Sequence, residues 1–418
     1  MQMGIAEKLD RLSESSLIRL EATVIGLTFL GLMLVTQKIP VGDMLLYQNV
    51  GESILKGLIP YRDFTLEYPP YCIPLFILPA ALTTEITNYQ FLFCLQLGIL
   101  DILLKLFFLK AIGSAAPPSR QLACLGLYCL SSLSLAYLYL RRFDLVVAMT
   151  VPLAILSFRK SKWTGCGFWI GIGTLIKLYP LLFIPPAMFQ AHKENRLYPL
   201  IRGGLLSIIP ALLLLPWAPW WKFILFHTER GLQVESLYAS LLWAFRFLGI
   251  DVVWTFNHSW WEIQGSVADA LIPLARILFI GTVLLSTFAA IKLVRASSPP
   301  HRESNFLIAM LLPLMAFVTW NLVLSPQYHI WLSTLSALVF ATTTTASLKR
   351  DMAILTLISI CVPLYYPSRS YHYGLDAPKT CVLLIRNIGL VVIWLNLLKH
   401  AFRGGRHNPT QIEGGRLP

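Results

Sequence analysis

Long apolar segments recur along this chain of 418 residues, and they constrain its fold more than any other feature. A helix needs roughly 20 mostly apolar residues to cross the hydrocarbon core of a bilayer. Stretches such as 88–112 and 269–292 are that long. Charged residues make up only 13% of the chain, against about a quarter in soluble domains. The sequence therefore predicts an all-α polytopic membrane protein and excludes a soluble globular fold.

The basic residues predict how these segments cross the membrane. Lys and Arg in short loops favour the cytoplasmic side, and they account for much of the net charge of +13. Alternating the crossings between basic loops gives about twelve segments and places both termini inside. The chain is then a single membrane domain over 1–418, with a cytoplasmic segment at 1–17 and a basic tail at 400–418. Because the charge follows topology, it does not indicate a nucleic-acid partner.

One stretch breaks the simple alternation of crossings. The clusters "RKSK" (159–162) and "HKENR" (192–196) flank one apolar segment, and a single crossing would place them on opposite sides. Three prolines interrupt the helical ladder in the second half of that segment. We therefore predict a hairpin of two short helices, broken near "IKLYP" (176–180), with Lys177 near its outer apex. Interrupted helices of this kind often mark a site in a membrane protein.

The predicted external face collects most of the unusual polar residues. Its first loop, 37–87, contains the charged stretch "YRDFTLEYPP", and the apolar part of that loop, 70–84, is too short to cross and is predicted to dip into the membrane. A second long loop, about 217–268, is rich in Trp, His and charge. Polar groups near bilayer depth are costly and usually functional. Their position at one interface, away from mid-membrane, favours an active site over a transport path.

Five motifs resemble a known enzyme family. "GDMLLYQNVGESILKGLIPYRDFTLEYPP" (42–70) resembles the first external loop of membrane glycosyltransferases of the GT-C fold, and the others follow in the same order: "RRFDLVVAM", "GTLIKLYPLLFIP", "HTERGLQVES" and "SPQYHIW". The most similar group is glycosyltransferase family 87, bacterial mannosyltransferase-like enzymes that take sugars from polyprenyl phosphates. The "K-x-Y-P" element is also similar to the eukaryotic GPI mannosyltransferases.

The resemblance implies a GT-C-like fold and a reaction type. A mannose-like hexose or a pentose would pass, with inversion, from a polyprenyl-phosphate donor to a lipid or glycan acceptor at the external face of a bacterial inner membrane. No cofactor is implied, and a divalent metal stays open. The family's adjacent acidic pair is a lone Asp43 in this chain, which weakens a metal-dependent interpretation.

Two other functions stay open at this point. A flippase for lipid-linked glycans, or another transporter, should have internal repeats and charges at mid-span, and neither is clear in the sequence. An O-antigen ligase or polymerase would also carry basic residues in a large external loop. Membrane lipids are expected as partners in every case, and nucleic acid in none.

The candidate site residues follow from the chemistry of such a transfer. A carboxylate must take the proton of the acceptor hydroxyl, and we expect Asp43 to be this general base. The alternative is that Asp43 caps the helix that follows it, since Asp is a favoured N-cap. Ten further residues are expected to contact substrate or phosphate: Arg62, Asp63, Glu67, Lys177, His227, Arg230, Gln233, Glu235, Gln327 and His329.

Several of these residues also have structural interpretations. Arg62, Asp63 and Glu67 could pair with one another and order a proline-rich loop. Lys177, inside an apolar hairpin, needs a partner, which is donor phosphate or, in the structural interpretation, Asp144 or a backbone carbonyl.

The second external loop has the same ambiguity. His227 and Arg230 are three residues apart, so on a helix they would share a face and could bind a phosphate; otherwise they belong to a solvated surface. His329 follows "SPQY" on the predicted active face, although a lone histidine is more often structural.

Overall fold

The computed structural model describes residues 4–36, 43–113, 116–227, 231–257, 260–366 and 374–404. Within these ranges the chain forms seventeen α-helices, α1–α17, and one small sheet of three strands, β1–β3. The predicted all-α class is confirmed, with the sheet as a minor addition that the sequence analysis did not predict.

Six helices are long and apolar enough to cross a membrane, which confirms a polytopic membrane protein. Neighbouring helices bury 78% of the apolar segment of α14 but only 17% of the apolar segment of α2. Helix α14 is therefore central, and α2 is peripheral. The six are α2 (Glu14–Thr36), α5 (Ile86–Ile112), α11 (Leu197–Leu214), α13 (Ser266–Ala296), α14 (Arg302–Trp320) and α17 (Ala377–Phe402).

The other predicted crossings are shorter or divided helices. They are α6 (Pro118–Ser134), α7 (Ala136–Tyr139), α8 (Asp144–Arg159), α9 (Trp163–Ile176), α10 (Ile184–Lys193), α15 (Tyr328–Thr342) and α16 (Ala346–Leu357). The predicted crossing at 352–366 is divided: α16 ends at Leu357 and a 3-10 segment, Ile358–Leu364, continues it. Pro363 lies in that segment and cannot take part in a regular helical ladder.

The helices outside the crossings are short. They are α1 (Ile5–Asp10), α3 (Met44–Leu55), α4 (Ile73–Ala80) and α12 (Leu237–Phe245). The predicted dipping segment consists of a 3-10 turn, Pro70–Cys72, followed by α4, whose eight residues are too few to cross. It packs closely on α3, where an added Cβ on Gly51 would collide with the carbonyl oxygen of Phe76.

The predicted hairpin is present. Lys177 directly follows α9 in an extended conformation (φ −160°, ψ 135°), and a 3-10 turn, Tyr179–Phe183, leads into α10. The indole Nε1 of Trp163, at the start of α9, donates to Oε2 of Glu194, just after α10, at 3.1 Å. The two ends of the hairpin therefore lie side by side, and Lys177 lies at its opposite end.

Ion pairs join the ends of several helices beside Trp163. Arg302, at the start of α14, donates to both carboxylate oxygens of Glu194, at 2.6 and 2.9 Å. Arg159, at the end of α8, pairs with Glu303. Nζ of Lys193 donates to the carbonyl of Ser297, just after α13, at 2.6 Å. Loops that the charge pattern predicts to be cytoplasmic thus meet at one end of the bundle.

The small sheet belongs to the second predicted external loop. Strand β3 (Trp260–Gln264) pairs antiparallel with β1 (Leu232–Gln233) on one side and with β2 (Val253–Asn257) on the other. Trp254 and Ile263 are opposite each other and both buried, whereas Val253 and Phe256 are exposed. Trp254 and Ile263 therefore attach the sheet to the core, whereas its outer residues are exposed.

Candidate active site

The partly exposed charges at the Lys177 end of the bundle meet around Arg142, in the turn between α7 and α8. Its guanidinium pairs with the carboxylate of Asp43 and lies 3.4 Å from Oη of Tyr47. Asp43 occupies the N-cap position of α3, but its side chain accepts no hydrogen bond from the helix. The capping alternative is therefore not realised, and the carboxylate faces a cation. The two side chains are 38% and 20% exposed, which leaves both accessible to a substrate.

A second ion pair lies beside the first. Nζ of Lys177 donates to Oδ1 of Asp144 at 2.7 Å, and Nε1 of Trp331 donates to the same oxygen at 2.7 Å. Asp144 is fully buried, whereas Lys177 is 18% exposed. Lys177 thus has the protein partner that the structural interpretation required, and its ammonium still reaches the surface of the site.

Aromatic rings surround the ammonium of Lys177. Its Nζ lies 5.3 Å from the ring centroid of Phe143, 5.9 Å from that of Tyr328 and 5.2 Å from that of Trp331. Rings attract a cation through their negative faces. Because Phe143 lies between Arg142 and Asp144 in the sequence, the two ion pairs share one aromatic wall.

Glu67 faces the same wall. Burial, then the neighbouring Tyr47 and Glu67, raise the pKa of Tyr68 well above its usual range. Burial also raises the pKa of Tyr47, and the carboxylates of Asp144 and Glu67 add to that effect. Both carboxylates therefore act electrostatically on the Tyr47 hydroxyl, which itself lies 3.4 Å from Arg142.

Arg62 and Asp63 form a pair of their own. The guanidinium donates to both carboxylate oxygens, at 2.8 and 2.9 Å, and the backbone amide of Ile59 donates to Oδ2 at 2.8 Å. These bonds, from Arg62 first and Ile59 second, lower the pKa of Asp63 to about 2. A carboxylate with so low a pKa is a poor general base, so this pair orders the loop as its structural interpretation proposed.

Glu235 is fully buried in a polar network that the sequence analysis did not predict. Its Oε2 accepts from Nη1 of Arg386 at 2.7 Å and from Oη of Tyr365 at 2.7 Å. Asn387 adjoins the network and donates to Oγ of Ser240 at 2.8 Å. The missed signal was Arg386, a charge inside the apolar segment of α17 that had to have a partner. Substrate contact by Glu235 stays a prediction, beside a structural role that these bonds support.

Tyr366 links the two regions. Arg142 and Arg141 on one side and Glu235 on the other all act electrostatically on its hydroxyl. The candidate site itself consists of the Asp43–Arg142 pair and Lys177, and it is built from α3, the α7–α8 turn and the hairpin apex.

Two further candidate residues have buried polar atoms without a hydrogen-bond partner among the described residues. His329, in the first turn of α15, is 1% exposed, and neither of its ring nitrogens is bonded. Oε1 of Gln233 is also unbonded, although its backbone amide donates to the carbonyl of Leu322 at 3.0 Å. Unpaired buried polar atoms are costly, so these atoms are candidates for contact with water or substrate.

The structure says less about the other candidate site residues. Gln327 precedes α15 and accepts a hydrogen bond from Ser325. Arg230 and the side chain of His227 lie outside the described part of the chain. Within that part, no three His, Cys, Asp or Glu side chains come together in a way that could hold a metal ion.

A multi-helix membrane protein with carboxylates, cations and aromatic rings at one end of its bundle has the features of an enzyme that works at the membrane surface. The model of glycosyltransferase family 87 matches residues 64–326, well over half of the chain, and the chain belongs to that family. The match includes Glu67, Arg142, Asp144 and Lys177, whereas Asp43 precedes it. The chain is therefore a membrane glycosyltransferase.

A search of known proteins also found a eukaryotic relative. GPI mannosyltransferase 1 of Kluyveromyces lactis is 20% identical over 312 residues, which cover 72% of this chain and 72% of the relative. The resemblance of the sequence motifs to family 87 is thus confirmed.

Proposed function

We propose that this glycosyltransferase moves a sugar, of the mannose or pentose type, from a polyprenyl-phosphate donor to a lipid or glycan acceptor. The observation that carries the proposal is the Asp43–Arg142 ion pair beside Lys177, which puts a partly exposed carboxylate and two cations at one end of the membrane bundle. Such a donor keeps its tail in lipid while its head reacts at the surface. Membership of family 87 and the mannosyltransferase relative support this class of donor and sugar.

In the proposed reaction Asp43 is the general base. The acceptor hydroxyl oxygen attacks the anomeric carbon, its proton passes to Asp43, and the bond from that carbon to the donor phosphate breaks with inversion. Arg142 holds Asp43 in its ionised form, which can accept a proton. The same pairing makes Asp43 less basic, so the base would gain strength as Arg142 turns toward the phosphate.

The cations of the site would stabilise the leaving phosphate. Arg142 can bind phosphate through two parallel N–H donors, and Lys177 supplies a point charge. Both are partly buried, where charge stabilisation is stronger than in water. His227, Arg230, Gln233, Gln327 and His329 are proposed as further contacts to the donor or acceptor. In this proposal side chains meet the phosphate charge, and a divalent metal stays open as a further partner of the phosphate.

The proposed location is the inner membrane of a bacterium, with both termini cytoplasmic. The end of the bundle that carries Arg159, Lys193 and Arg302 would face the cytoplasm, because basic loops favour that side. The Asp43–Arg142 pair would then face the exterior.

A donor panel tests the proposal. Purified protein is incubated with labelled polyprenyl-phosphate sugars and, separately, with polyprenyl-diphosphate glycans, and the transferred label is measured. Transfer from the monophosphate alone is expected. Transfer from the diphosphate alone would identify a ligase or polymerase. Transbilayer movement of labelled lipid without chemistry would identify a transporter.

A further inference from the structure

Helix α5 carries an ion pair that the proposed reaction does not use. Asp101 and Lys105 lie one turn apart, pair with each other, and are both completely buried. The helix around them is otherwise long and apolar and is suited to crossing the membrane. Ionisable groups in such a segment are costly and usually have a functional reason.

The pair binds one particular side chain. Oη of Tyr139 donates to Oδ1 of Asp101 at 2.7 Å, and Oη of Tyr128 lies 2.9 Å from Oη of Tyr139. Nζ of Lys105 lies 6.0 Å from the centroid of the Tyr139 ring. The hydrogen bond of Tyr139 is made to a carboxylate, and bonds to ionised acceptors are stronger than neutral ones. Lys105 pairs with the other oxygen of the same carboxylate.

Tyr139 is the last residue of α7, and Arg142 follows three positions later. Three residues span at most about 11 Å, so the place of Tyr139 limits where the guanidinium of Arg142 can lie. The turn between them is tight, since the amide of Arg141 donates to the carbonyl of Leu138 at 2.9 Å. Helix α7 has four residues and cannot hold its position by itself.

We propose that Asp101 and Lys105 are positioning residues, which fix Tyr139 and through it the orientation of Arg142 toward Asp43 and the donor phosphate. The inference rests on the role of Arg142 in the proposed function. It explains why a charged pair is placed inside α5, at the point where the short α7 needs an anchor. A purely structural pair would stabilise the bundle without acting on the reaction.

The test compares Tyr139→Phe, Arg142→Lys and the double variant in transfer assays, with the amount of folded enzyme and its thermal midpoint measured for each. Tyr139→Phe is expected to lower kcat roughly tenfold, the effect of losing one hydrogen bond to a charged group. The kcat of the double variant is expected to be little lower than that of Arg142→Lys alone, because both changes disturb the same contact of residue 142 with Asp43 and the donor phosphate. Tyr238→Phe is the matched control, since it removes a buried hydroxyl bonded to the carbonyl of Trp320 and should keep wild-type kcat.

A second variant separates folding from positioning. Asp101→Leu/Lys105→Met replaces the pair by apolar side chains of similar size, which often leaves stability unchanged or improved. This double variant is expected to fold and to have the same lowered kcat as Tyr139→Phe. If Tyr139→Phe does not fold, the kcat of Asp101→Leu/Lys105→Met tests the positioning role in its place. The inference would be overturned if Asp101→Leu/Lys105→Met were stable and fully active. It would also be overturned if the fold-losses in kcat of Tyr139→Phe and Arg142→Lys multiplied in the double variant of those two. If Arg142→Lys itself is fully active, the proposed function fails instead.

Discussion

Arg142, in the turn before α8, forms an ion pair with Asp43, at the start of α3, so that a candidate base and a candidate phosphate-binding group share one site. Lys177, bonded to Asp144, lies 5.3 Å from the ring centroid of Phe143, the residue next to Arg142. The site thus has an acid–base group and two cations at the end of the bundle opposite the Arg302–Glu194 pair. The predictions below separate the roles of these groups.

The first prediction concerns topology. In a Cys381→Ser background, which removes the exposed native thiol, Asp251→Cys should react with a membrane-impermeant reagent added outside, and Ser161→Cys should not. Both positions are exposed in the structure, so a difference in labelling reports the side of the membrane. Equal external labelling of the two would show that the bundle is oriented differently.

The second prediction concerns the donor phosphate. Lys177→Met should weaken use of the donor about ten- to a hundredfold, the cost of one charge-assisted bond, and change the acceptor KM little. Lys222→Met is the matched control, because Lys222 is an exposed cation outside the site. Since Lys177→Met leaves Asp144 buried without its cation, Asp144→Asn/Lys177→Met serves as a second variant. Normal donor use in that double variant would exclude Lys177 from phosphate binding.

The same experiment applies to His227 and Arg230. His227→Ala and Arg230→Ala are expected to weaken donor use more than acceptor use, because the sequence places both on the active face. Donor KM and kcat within about twofold of wild type for both variants would remove them from the site.

The third prediction concerns the first external loop. Asp63→Asn should keep near-normal activity, because the pKa of Asp63 is about 2 and its charge is constant above about pH 4. Glu67→Gln should lower activity moderately, since Glu67 acts on the Tyr47 hydroxyl beside the ion pair. If Glu67→Gln is inactive while Asp43→Asn is active, Glu67 is the base and the proposed roles are exchanged.

The fourth prediction concerns the buried network of α17. Arg386→Met should destabilise the protein by about 3–5 kcal/mol, because it removes the buried cation that pairs with the carboxylate of Glu235. Glu235→Leu/Arg386→Met should recover most of that loss in a detergent unfolding assay. If the double variant is stable yet inactive, Glu235 contacts substrate as the sequence analysis predicted.

The sequence predicted features that depend on local composition. The membrane class follows from the apolar segments, and the break at Lys177 follows from the neighbouring prolines and the two flanking basic clusters. The Asp43–Arg142 pair could not be predicted, because it depends on how α3 packs against the α7–α8 turn. For the same reason the sequence could not decide whether Asp43 is a general base or the N-cap of α3.

Three features of the sequence were overlooked. Arg386 lies within an apolar segment and had to have a partner, although its identity, Glu235, depends on packing between distant parts of the chain. The strands β2 and β3 contain many aromatic residues, which suit an interfacial loop equally well. The Asp101–Lys105 pair was visible one helical turn apart, whereas its bond to Tyr139 depends on the position of α7.

The activity of Asp43→Asn tests the central claim most directly. The change keeps the shape of the side chain and removes its ability to accept a proton, and it does not disturb a helix cap, because the Asp43 side chain makes none. Sugar transfer from polyprenyl-phosphate donor should fall about a hundred- to ten-thousandfold, the usual effect of losing a general base.

Folding and donor binding should persist in the same variant, and donor affinity should be equal or higher because a negative charge beside the phosphate is removed. The measurement is therefore single-turnover transfer with donor already bound, for wild type and Asp43→Asn at matched thermal midpoints. We expect bound donor without transfer in Asp43→Asn. Transfer within about twofold of the wild-type rate would contradict the assignment of Asp43 as the base.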